Sequence, residues 1–395
     1  MKNNDKTNRR KEIRSNSNVQ GILAYKRTPI EIESPEQFGY DKIKYNLAES
    51  SVPDVVMDEL DDLNLTNLVL CYGDHLGNPS LRQRIANEEE ELTQTQVLVT
   101  AGAAAALFII STSILKPKDH LVVLHPNYVT NIETPRAIGC HVDYFRLTFE
   151  EQFHLDLDKL EQLIQPNTRL VSLTYPHNPT GTIISESKLK KIINLVEANG
   201  CYLLFDETYR EMTFGTPLPI VASLSPNAIS VSSFSKSYGL PGIRIGWLIT
   251  QDKTLMETFL AAKEQIFICN SVVDEEIADH FLAKKDQFFP KIQAHIRTNI
   301  ETMKAWIEKN DYLEWVEPCG GCVCFPRIKP SINVDLDNFY KFLNESYKTF
   351  VGPGHWFEMD RRFMRIGYGW PSNQELEGGL QCITKAIEDT LPTNC

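Results

Sequence analysis

A regular alternation of short apolar runs with helix-like segments begins near residue 96 and limits what this chain can fold into. Seven of the apolar runs have the length of strands: Val97–Thr100, Leu121–Leu124, His141–Phe145, Leu170–Thr174, Tyr202–Phe205, Ile229–Ser233 and Ile245–Ile249. Helical stretches lie between them, among them Ala103–Leu115, Leu157–Leu163 and Ser185–Ala198. Because strands that are apolar along their whole length must be covered on both faces, the pattern predicts an α/β three-layer sandwich with a mainly parallel, seven-stranded sheet.

The pattern changes after residue 285, where longer amphipathic helices (Lys291–Lys309, Leu336–Tyr347) and short strands follow. We therefore expect a large ligand-binding domain and a smaller α+β domain. The large domain would comprise residues 52–285, and the small one residues 19–51 and 286–395. Residues 1–18 are mostly basic and polar with few apolar side chains, which predicts a disordered N-terminal arm.

Polar and glycine-containing segments follow several of the predicted strands directly. They are Ala101–Ala104, Tyr175–Gly181 (YPHNPTG), Asp206–Tyr209 and Ser233–Lys236. In a sheet of mainly parallel strands, ligands bind in the crevice beyond the carboxyl ends of the strands. Chance would place one or two such segments at that edge, so four of them indicate a ligand site.

The composition argues against several other classes of protein. The formal net charge of −12 is unfavourable for binding a nucleic-acid backbone. No apolar run approaches the roughly 20 residues that a membrane span needs. Nine cysteines without a secretory leader indicate a reducing compartment, so we expect a cytoplasmic protein. Three of them form the segment CGGCVC (319–324), but no second Cys or His pair nearby completes a metal site, and we predict a glycine-kinked strand without a metal.

The stretch SSFSKSYGLPGIRIGW (232–247) surrounds Lys236 with hydroxyl groups and flexible backbone. A lysine amine is a nucleophile only when it is unprotonated, and desolvation or neighbouring cations lower its pKa. Such a lysine suits a Schiff base to a carbonyl cofactor. Asp206 ends a buried strand, where a carboxylate needs a cationic partner, and the protonated ring nitrogen of pyridoxal 5'-phosphate would be one. The alternatives are a salt bridge from Asp206 to a local arginine and an exposed turn at Lys236.

Further polar groups on the same rim suit the rest of this cofactor, because helix N-termini attract anions and hydroxyl and guanidinium groups bind phosphate. The candidate phosphate donors are the amides of Gly102, Ala103 and Ala104 and the side chains of Ser233, Ser235 and Arg244. Asn178 and Tyr209 offer hydrogen bonds to the ring oxygen, and Tyr128 could stack on the ring face. Each of these also has a plainer interpretation, as helix packing, a turn residue or a core aromatic.

Four motifs together resemble the class I/II aminotransferases, which are pyridoxal-phosphate enzymes of fold type I. They are NPTG (178–181), D-x-x-Y (206–209), S-x-S-K-x-x-G-x-x-G-x-R-x-G (233–246) and R-I-G-Y-G (365–369). The resemblance runs from about Tyr45 to Glu388 and keeps the order and spacing of the family's motifs. It implies the transfer of an amino group between an amino acid and a 2-oxo acid.

The resemblance also implies a role for each matching residue. Lys236 would form the internal aldimine with the cofactor, and Asp206 would face the pyridine nitrogen. Asn178 and Tyr209 would bind the ring hydroxyl. Arg365 would grip the substrate α-carboxylate, although Arg361 and Arg362 are nearby competitors for this role.

A shared active site is a further implication of the resemblance. Tyr72, in YGDHLG, matches the family tyrosine that reaches the cofactor phosphate of the neighbouring subunit. We therefore expect a homodimer in which each subunit contributes to both sites.

These motifs define the substrate less well than the cofactor. Members that act on aspartate use a second arginine from the partner subunit, and the comparable region, Glu264–Glu276, has none. A dicarboxylate is therefore not the expected principal donor. The loop Asn46–Ser50 departs from the glycine and proline of many relatives, and Ala48 and Glu49 in it are candidate substrate contacts. If Glu49 faces the pocket, it would attract a basic side chain; the alternative is a solvated loop carboxylate.

Two other functions are compatible with the same motifs. Some relatives, including capreomycidine synthase, use the cofactor to cyclise an arginine derivative, so a cyclase or lyase is the main alternative to a transaminase. A non-catalytic amino-acid sensor is the other, but such regulators usually carry a helix-turn-helix domain ahead of this fold.

Overall fold

The computed structural model describes residue 23 and residues 25–392, so the arm predicted at residues 1–18 lies outside the described residues. Numbered along the chain, the strands are β1 (Tyr45–Asn46), β2 (Val97–Thr100), β3 (His120–His125), β4 (His141–Arg146), β5 (Thr168–Thr174), β6 (Tyr202–Asp206), β7 (Ala228–Ser233), β8 (Gly246–Thr250), β9 (Leu313–Glu314), β10 (Val323–Cys324), β11 (Arg327–Ile328), β12 (Thr349–Phe350), β13 (Gly352–Pro353) and β14 (Met364–Gly367). The α-helices are α1 (Pro29–Glu33), α2 (Pro35–Phe38), α3 (Pro79–Ala86), α4 (Gly102–Ile114), α5 (Thr130–Ile138), α6 (Leu157–Leu163), α7 (Glu186–Ala198), α8 (Val221–Leu224), α9 (Lys253–Phe267), α10 (Val272–Ala283), α11 (Lys285–Glu308), α12 (Leu336–Lys341) and α13 (Asn373–Glu388). Short 3₁₀ turns lie at Tyr40–Lys42, Met57–Glu59, Gln94–Gln96, Arg210–Met212, Pro241–Ile243 and Gly354–Phe357, and a π-helical turn spans Phe342–Ser346.

Seven strands form one sheet in the order β2-β8-β7-β6-β5-β3-β4. The pairs β7–β6, β6–β5, β5–β3 and β3–β4 are parallel. Strand β8 runs antiparallel to both of its neighbours, β2 and β7. Every strand predicted for this sheet is present, and its bounds agree with the prediction to within two residues. The predicted α/β sandwich with a mainly parallel seven-stranded sheet is confirmed.

Apolar side chains cover both faces of this sheet, because consecutive residues of a strand point to opposite sides. Along β6, Leu203 and Phe205 belong to a buried cluster that includes Leu189 of α7. Leu204 belongs instead to a buried cluster that includes residues of α4 and α9, such as Phe259. Helices on both faces bury the sheet except for its edge strand β4, where only Phe145 is fully buried. The ends of the strands are left as the place where polar groups can gather.

The helices differ from the predicted ones mainly in the C-terminal part of the chain. Helix α11 starts at Lys285, before the predicted start at residue 291, because Pro290 is accommodated inside the helix instead of preceding it. The stretch predicted as one helix, 336–347, is α12 followed by the π-helical turn. Near the site, Ser185 caps α7 by accepting a hydrogen bond from Lys188 N at 3.2 Å, whereas α4 begins at Gly102 without a side-chain cap.

The remaining strands form small sheets around a further core. Strand β1 pairs with β12 in parallel, β14 lies between β10 and β13, and β9 pairs with β11. Leu47, Ile300 and Leu380 share one buried cluster, which joins the segment after β1 to the C-terminal helices. This packing supports the proposed small domain of residues 19–51 and 286–395. Its separation from residues 52–285 stays a proposal, because Phe325 shares a buried cluster with Phe145 of the large sheet.

Among the described residues, no helix combines the length and the apolar character needed to cross a membrane.

Candidate active site

Three of the polar segments predicted to face one ligand meet where β5, β6 and β7 end. Thr174, the last residue of β5, lies opposite Asp206, the last residue of β6. Tyr175 N donates a hydrogen bond to Asp206 O at 3.1 Å. Ser237 Oγ donates to Thr208 O at 2.7 Å, which ties the Lys236 loop to the segment after β6. The parallel register therefore brings these segments to one rim of the sheet.

Lys236 lies on this rim, in the segment that follows β7. Its backbone oxygen accepts a hydrogen bond from Val52 N at 3.3 Å, whereas Nζ bonds to no residue in the described part of the chain. Burial lowers the pKa of Lys236; Glu49 raises it and Arg365 lowers it. The amine is therefore closer to its neutral, nucleophilic form than the amine of an exposed lysine would be.

Asp206 is a buried carboxylate, 5% exposed, that lacks a cationic partner within the described chain. Its Oδ1 accepts hydrogen bonds from Thr208 N at 3.2 Å and from Thr208 Oγ1 at 2.6 Å. Burial raises the pKa of Asp206 above its usual value, although these hydrogen bonds lower it. The alternative of a salt bridge to a local arginine does not hold, because Arg210 pairs with Glu89 and Glu211.

A site for an anion lies at the start of α4, which is the fourth predicted segment. Gly102 opens the helix with a φ of +81°, and a Cβ added there would lie 2.7 Å from Arg244 Nη2. Arg244 Nη1 donates to Ser235 Oγ at 3.4 Å, and Ser235 N donates to Ser233 Oγ at 3.4 Å. The uncapped helix start, which includes the amides of Gly102, Ala103 and Ala104, thus lies beside a guanidinium and two hydroxyl groups.

Arg365 is buried, with 5% of its surface exposed, and its guanidinium is only partly bonded by protein. Nη1 donates to Asn178 Oδ1 at 3.2 Å, and Nη2 donates to Ala48 O at 2.8 Å. Nε has no partner among the described residues. A buried guanidinium with a free donor and no carboxylate partner is suited to an anionic ligand group.

The two competing arginines are engaged elsewhere. Arg361 pairs with Asp337. Arg362 Nη1 donates to the backbone oxygens of Lys329 and Ile332, at 3.2 and 3.0 Å. Of these three arginines, Arg365 alone contacts Asn178 and the loop of Ala48.

Glu49 lies on the same loop and is partly buried. Its Oε1 accepts hydrogen bonds from Tyr40 Oη at 3.2 Å and from Asn46 Nδ2 at 3.3 Å. It acts electrostatically on both Lys236 and Arg365, whose pKa values it raises against the lowering effect of burial. Glu49 therefore lies within electrostatic reach of both cations, and its role as a substrate contact stays a prediction.

The three tyrosines with predicted roles differ in their surroundings. Tyr209 is buried, and its Oη donates to Ser50 O at 2.9 Å. Tyr128 is partly buried against the cluster that includes residues of α4. Tyr72 is 80% exposed and lies next to the exposed side chains of Val69 and Leu70. The described chain does not contact Tyr72 closely enough to bury it, so this side chain is available to another molecule.

Several residues that support the site were not recognised as functional in the sequence. Asn127 Oδ1 accepts from Thr174 Oγ1 at 3.0 Å, while Asn127 Nδ2 is buried without a partner in the described chain. His177 Nε2 donates to Pro126 O at 2.8 Å, which links the segments that follow β3 and β5. Asn127 lies two residues after the end of β3, and this position could have indicated its role. Tyr40 belongs to no motif, and only its contact with Glu49 reveals it.

The CGGCVC segment (319–324) supports the NPTG loop. Cys319 N and Gly320 N both donate to Gly181 O, at 2.8 and 3.0 Å. Gly181 has a φ of +71°, and a Cβ there would lie 2.7 Å from Val323 O, so only glycine fits. Gly321 has a φ of +76° before β10, in agreement with the predicted glycine-kinked strand.

Comparisons with known proteins agree with these observations. The sequence profile of aminotransferase class I and II matches residues 42–383. Capreomycidine synthase of Streptomyces vinaceus is 27% identical over 359 residues, which cover 88% of this chain and 91% of that protein. An aspartate aminotransferase of Pyrococcus horikoshii is 24% identical over 329 residues, which cover 80% of this chain and 83% of that protein. The crystal structure of a PLP-dependent aminotransferase from Streptococcus suis superposes with a TM-score of 0.86 at 25% identity, covering 94% of this chain and all of that one.

The residues on the rim fit pyridoxal 5'-phosphate, which membership of this family implies as the cofactor. Asp206 is a buried carboxylate that lacks a cation, and the pyridinium nitrogen is one. Lys236 offers a free amine to the aldehyde, and the uncapped start of α4 with Arg244 offers donors to the phosphate. The family profile matches most of the chain, and the groups just described lack the partners that this cofactor would supply. The chain therefore belongs to the class I and II aminotransferase family of pyridoxal-phosphate enzymes.

Proposed function

We propose that this protein is an aminotransferase that moves an amino group between an amino acid and a 2-oxo acid. The observation that carries the proposal is that three charged, buried or half-buried groups lie close together and form no ion pair with any of the described residues. They are the amine of Lys236, the carboxylate of Asp206 and Nε of Arg365. A cofactor with a cationic ring and an aldehyde, together with a substrate carboxylate, would satisfy all three.

The proposed cofactor contacts follow from the placement of these residues. Bound pyridoxal phosphate supplies an aldehyde that condenses with amines and a cationic ring that withdraws electrons from the substrate Cα. Asp206 would hold the ring nitrogen in its protonated form, and Asn178 would donate to the ring oxygen. Tyr209 would also donate to it by turning its hydroxyl hydrogen away from Ser50 O, which accepts that hydrogen in this structure. Tyr128 would cover one face of the ring. The phosphate would be bound by the amides of Gly102, Ala103 and Ala104, by Ser233, Ser235 and Arg244, and by Tyr72 of the partner subunit.

Lys236 is the proposed proton carrier. Burial lowers the pKa of its amine, so the amine can accept the proton of the substrate Cα and return it to another carbon. Arg365 would hold the α-carboxylate, with Asn178 and Ala48 fixing the guanidinium at 3.2 and 2.8 Å. A fixed carboxylate orients the Cα–H bond toward Lys236, and positioned proton transfer of this kind contributes about 10²–10⁴-fold to the rate.

Single amino acids mixed with the purified holoenzyme test this proposal. An amino-group donor is expected to convert the visible absorbance of the bound cofactor to that of its aminated form, and a 2-oxo acid is expected to restore it. Products identified by mass spectrometry would show the matching oxo acid. Conversion of amino acids without any aminated cofactor would contradict transamination.

A cyclase that acts on an arginine derivative is the second candidate. Two observations favour it: the similarity to capreomycidine synthase and the position of Glu49, which follows the Ala48 that binds Arg365 and would attract a basic group. In that case the amino group stays on the substrate, so a cyclised product would form with no change in the cofactor's amination. A non-catalytic sensor is less well supported, because it would not need Lys236 and Arg365 on the same rim.

We further propose a cytoplasmic homodimer with shared active sites. Eight cysteines lie in the described residues and none of them forms a disulfide there, in keeping with a reducing compartment. The exposed apolar segment that contains Val69, Leu70 and Tyr72 supports the dimer.

A further inference from the structure

Glu49 is held in one orientation at the site by two neutral donors. Tyr40 Oη and Asn46 Nδ2 both donate to its Oε1, at 3.2 and 3.3 Å. Asn46 is itself fixed, because its Oδ1 accepts a hydrogen bond from Ala48 N at 3.1 Å. The second carboxylate oxygen, Oε2, accepts no hydrogen bond from the described residues and so keeps its capacity to accept one from a ligand.

The backbone places this carboxylate beside the group that would bind the substrate carboxylate. Arg365 Nη2 donates to Ala48 O at 2.8 Å, so the residue before Glu49 is part of the Arg365 site. On β14, Gly367 leaves no room for a side chain because the backbone oxygen of Glu49 packs against it. Arg365 is nine-tenths buried or more, and its Nε is unpartnered, which independently indicates an anionic ligand group at this place.

No cation of the described chain neutralises Glu49 by direct contact, since its hydrogen-bond donors are a phenol and an amide. Its field reaches Lys236 and Arg365, but the proposed reaction uses both of these cations elsewhere. Lys236 would react with the cofactor, and Arg365 would bind the α-carboxylate. Glu49 is then left as an uncompensated, partly buried carboxylate, which is costly unless a ligand supplies the positive charge.

The surroundings of Glu49 are acidic as well. Burial raises the pKa of Tyr40, and the carboxylates of Glu49, Glu36 and Asp54 raise it further. Asp54 accepts a hydrogen bond from Trp370 Nε1 at 3.0 Å and so is fixed near this position. An acidic substrate side chain would be repelled here, and a neutral one would leave the negative charge unpaired.

We propose that Glu49 is a specificity-determining residue that binds a guanidinium or ammonium group at the end of the substrate side chain, while Arg365 holds the α-carboxylate of the same molecule. This inference rests on the proposed function, since it takes the substrate to be an amino acid bound at Arg365. Tyr40 and Asn46 are positioning residues: they orient the carboxylate and need not touch the substrate.

Binding without reaction provides the first test. Desamino-arginine lacks the α-amino group and so cannot donate it, and desamino-citrulline carries a neutral ureido group in place of the guanidinium. Titration calorimetry with the holoenzyme should give at least about tenfold tighter binding of desamino-arginine. Glu49→Gln should remove this preference and change the affinity for desamino-citrulline by less than about threefold.

Steady-state kinetics with L-arginine and L-citrulline provides the second test. Glu49→Gln should lower kcat/KM for arginine by at least about tenfold, mainly through KM, and leave citrulline nearly unchanged. Glu49→Asp should restore part of the preference, and Tyr40→Phe should weaken it to an intermediate value. Asp41→Asn is the matched control, because it removes one negative charge from an exposed residue next to Tyr40 and should keep the preference.

Equal binding of the two desamino compounds by the wild type would overturn the inference, and this comparison does not depend on any variant folding. Equal losses for arginine and citrulline in Glu49→Gln would overturn it too. In a third outcome, the holoenzyme discriminates between the desamino compounds but none of the amino acids converts its cofactor to the aminated form. This outcome would support the role of Glu49 and contradict the proposed transamination.

Discussion

The side chains of Asp206, Lys236 and Arg365 show how single residues in this protein are kept in states that folding alone would not favour. A buried carboxylate without a cation, an amine without an acceptor and a guanidinium with a free Nε each cost free energy in the protein by itself. Each becomes favourable when a ligand of complementary charge is bound. Residues that serve function in this way reduce stability where they lie, and the surrounding core compensates for them.

We expect Asp206→Asn to stabilise the protein without cofactor and to weaken cofactor binding. Burial raises the pKa of Asp206, so between the unfolded and the folded pKa the native state binds more protons than the unfolded state. The stability of the wild-type apoprotein therefore falls as the pH rises through that window, and the variant lacks this fall. At neutral pH we expect a melting temperature higher by roughly 2 °C in the apoprotein and a cofactor affinity at least about tenfold lower.

Differential scanning calorimetry as a function of pH, with and without pyridoxal phosphate, measures both effects. Asp311→Asn, at an exposed position, is the control and should change neither. A variant apoprotein that is less stable than the wild type at neutral pH would show that the buried carboxylate is compensated by the protein itself.

Lys236→Ala should abolish the visible absorbance that borohydride reduces and should lower kcat by at least about 10²-fold, because the proton carrier is lost. Lys191→Ala, which changes an exposed lysine of α7, should leave both properties as in the wild type. Absorption spectra before and after borohydride, followed by peptide mapping of the reduced protein, locate the modified lysine. A modified residue other than Lys236 would refute its role.

Arg365→Lys should raise KM for amino-acid donors by about 10–100-fold, although the charge is kept. A lysine cannot donate to Asn178 Oδ1 and Ala48 O and still offer a free donor to a carboxylate, as the guanidinium of Arg365 does. Arg361→Lys is the matched control, since Arg361 pairs with Asp337 away from the site. Steady-state kinetics on both variants makes the comparison, and a larger effect at Arg361 would reverse the assignment.

At the level of secondary-structure elements, the site depends on how strands and helices begin and end. Parallel strands end at the same edge of the sheet, so β5, β6 and β7 deliver Asn178, Asp206 and Lys236 through the segments that follow them. Helix α4 adds a positive N-terminus at this edge because Gly102 lets its backbone approach β8 and Arg244. A Cβ on Gly246 of β8 would lie 2.5 Å from the carbonyl carbon of Gly102, which shows how close this packing is.

Gly102→Ala should therefore weaken cofactor binding by about tenfold and lower the stability by about 1–2 kcal/mol. The φ of +81° disfavours any L side chain, and the added Cβ would lie 2.7 Å from Arg244 Nη2, which would have to move. Gly242→Ala is the matched control in the same region, because nothing lies within 4 Å of its Cβ. Urea denaturation of the apoprotein and fluorescence titration with pyridoxal phosphate separate the two effects. Equal behaviour of the two variants would show that the start of α4 does not bind the phosphate.

For the molecule as a whole, the exposed segment around Tyr72 is the feature that a single chain does not explain. Val69 and Leu70 are 71% and 77% exposed, and Ile266 and Ile268 are also exposed. Exposed apolar side chains in such number are typical of an interface between subunits. A second copy of the chain that covers them would also bring Tyr72 to the neighbouring site, as we propose.

Mixing two inactive variants tests this arrangement. If each site combines Lys236 of one subunit with Tyr72 of the other, then Lys236→Ala and Tyr72→Ala subunits form hybrids with one intact site. Random exchange should restore roughly a quarter of the wild-type activity, whereas each variant alone stays low. Assays after co-refolding measure this, with sedimentation velocity to establish the dimer. Activity that does not rise above that of the two variants would exclude shared sites.

Much of the large sheet could be predicted because its strands obey a local rule. Each strand is an apolar run of fixed length between helical segments, so its position was predicted to within two residues. The start of α11 was missed because a proline usually precedes or breaks a helix, and Pro290 is instead tolerated within it. The NPTG, D-x-x-Y and S-x-S-K motifs follow strands directly, which is why their meeting could be predicted from topology alone.

The amino-acid sequence by itself determined the fold class and the family, because the periodicity of apolar residues and the order and spacing of motifs can be read along the chain. Only the tertiary structure decided which arginine of three faces the site, that Glu49 is held by Tyr40 and Asn46, and that Asp206 has no cation. These facts depend on contacts between residues far apart in the chain, such as Arg365 with Asn178 and Ala48. Electrostatic interactions and hydrogen bonds depend on distances in space, and a pattern along the chain does not show which distant residue will be the partner of a given charge or donor.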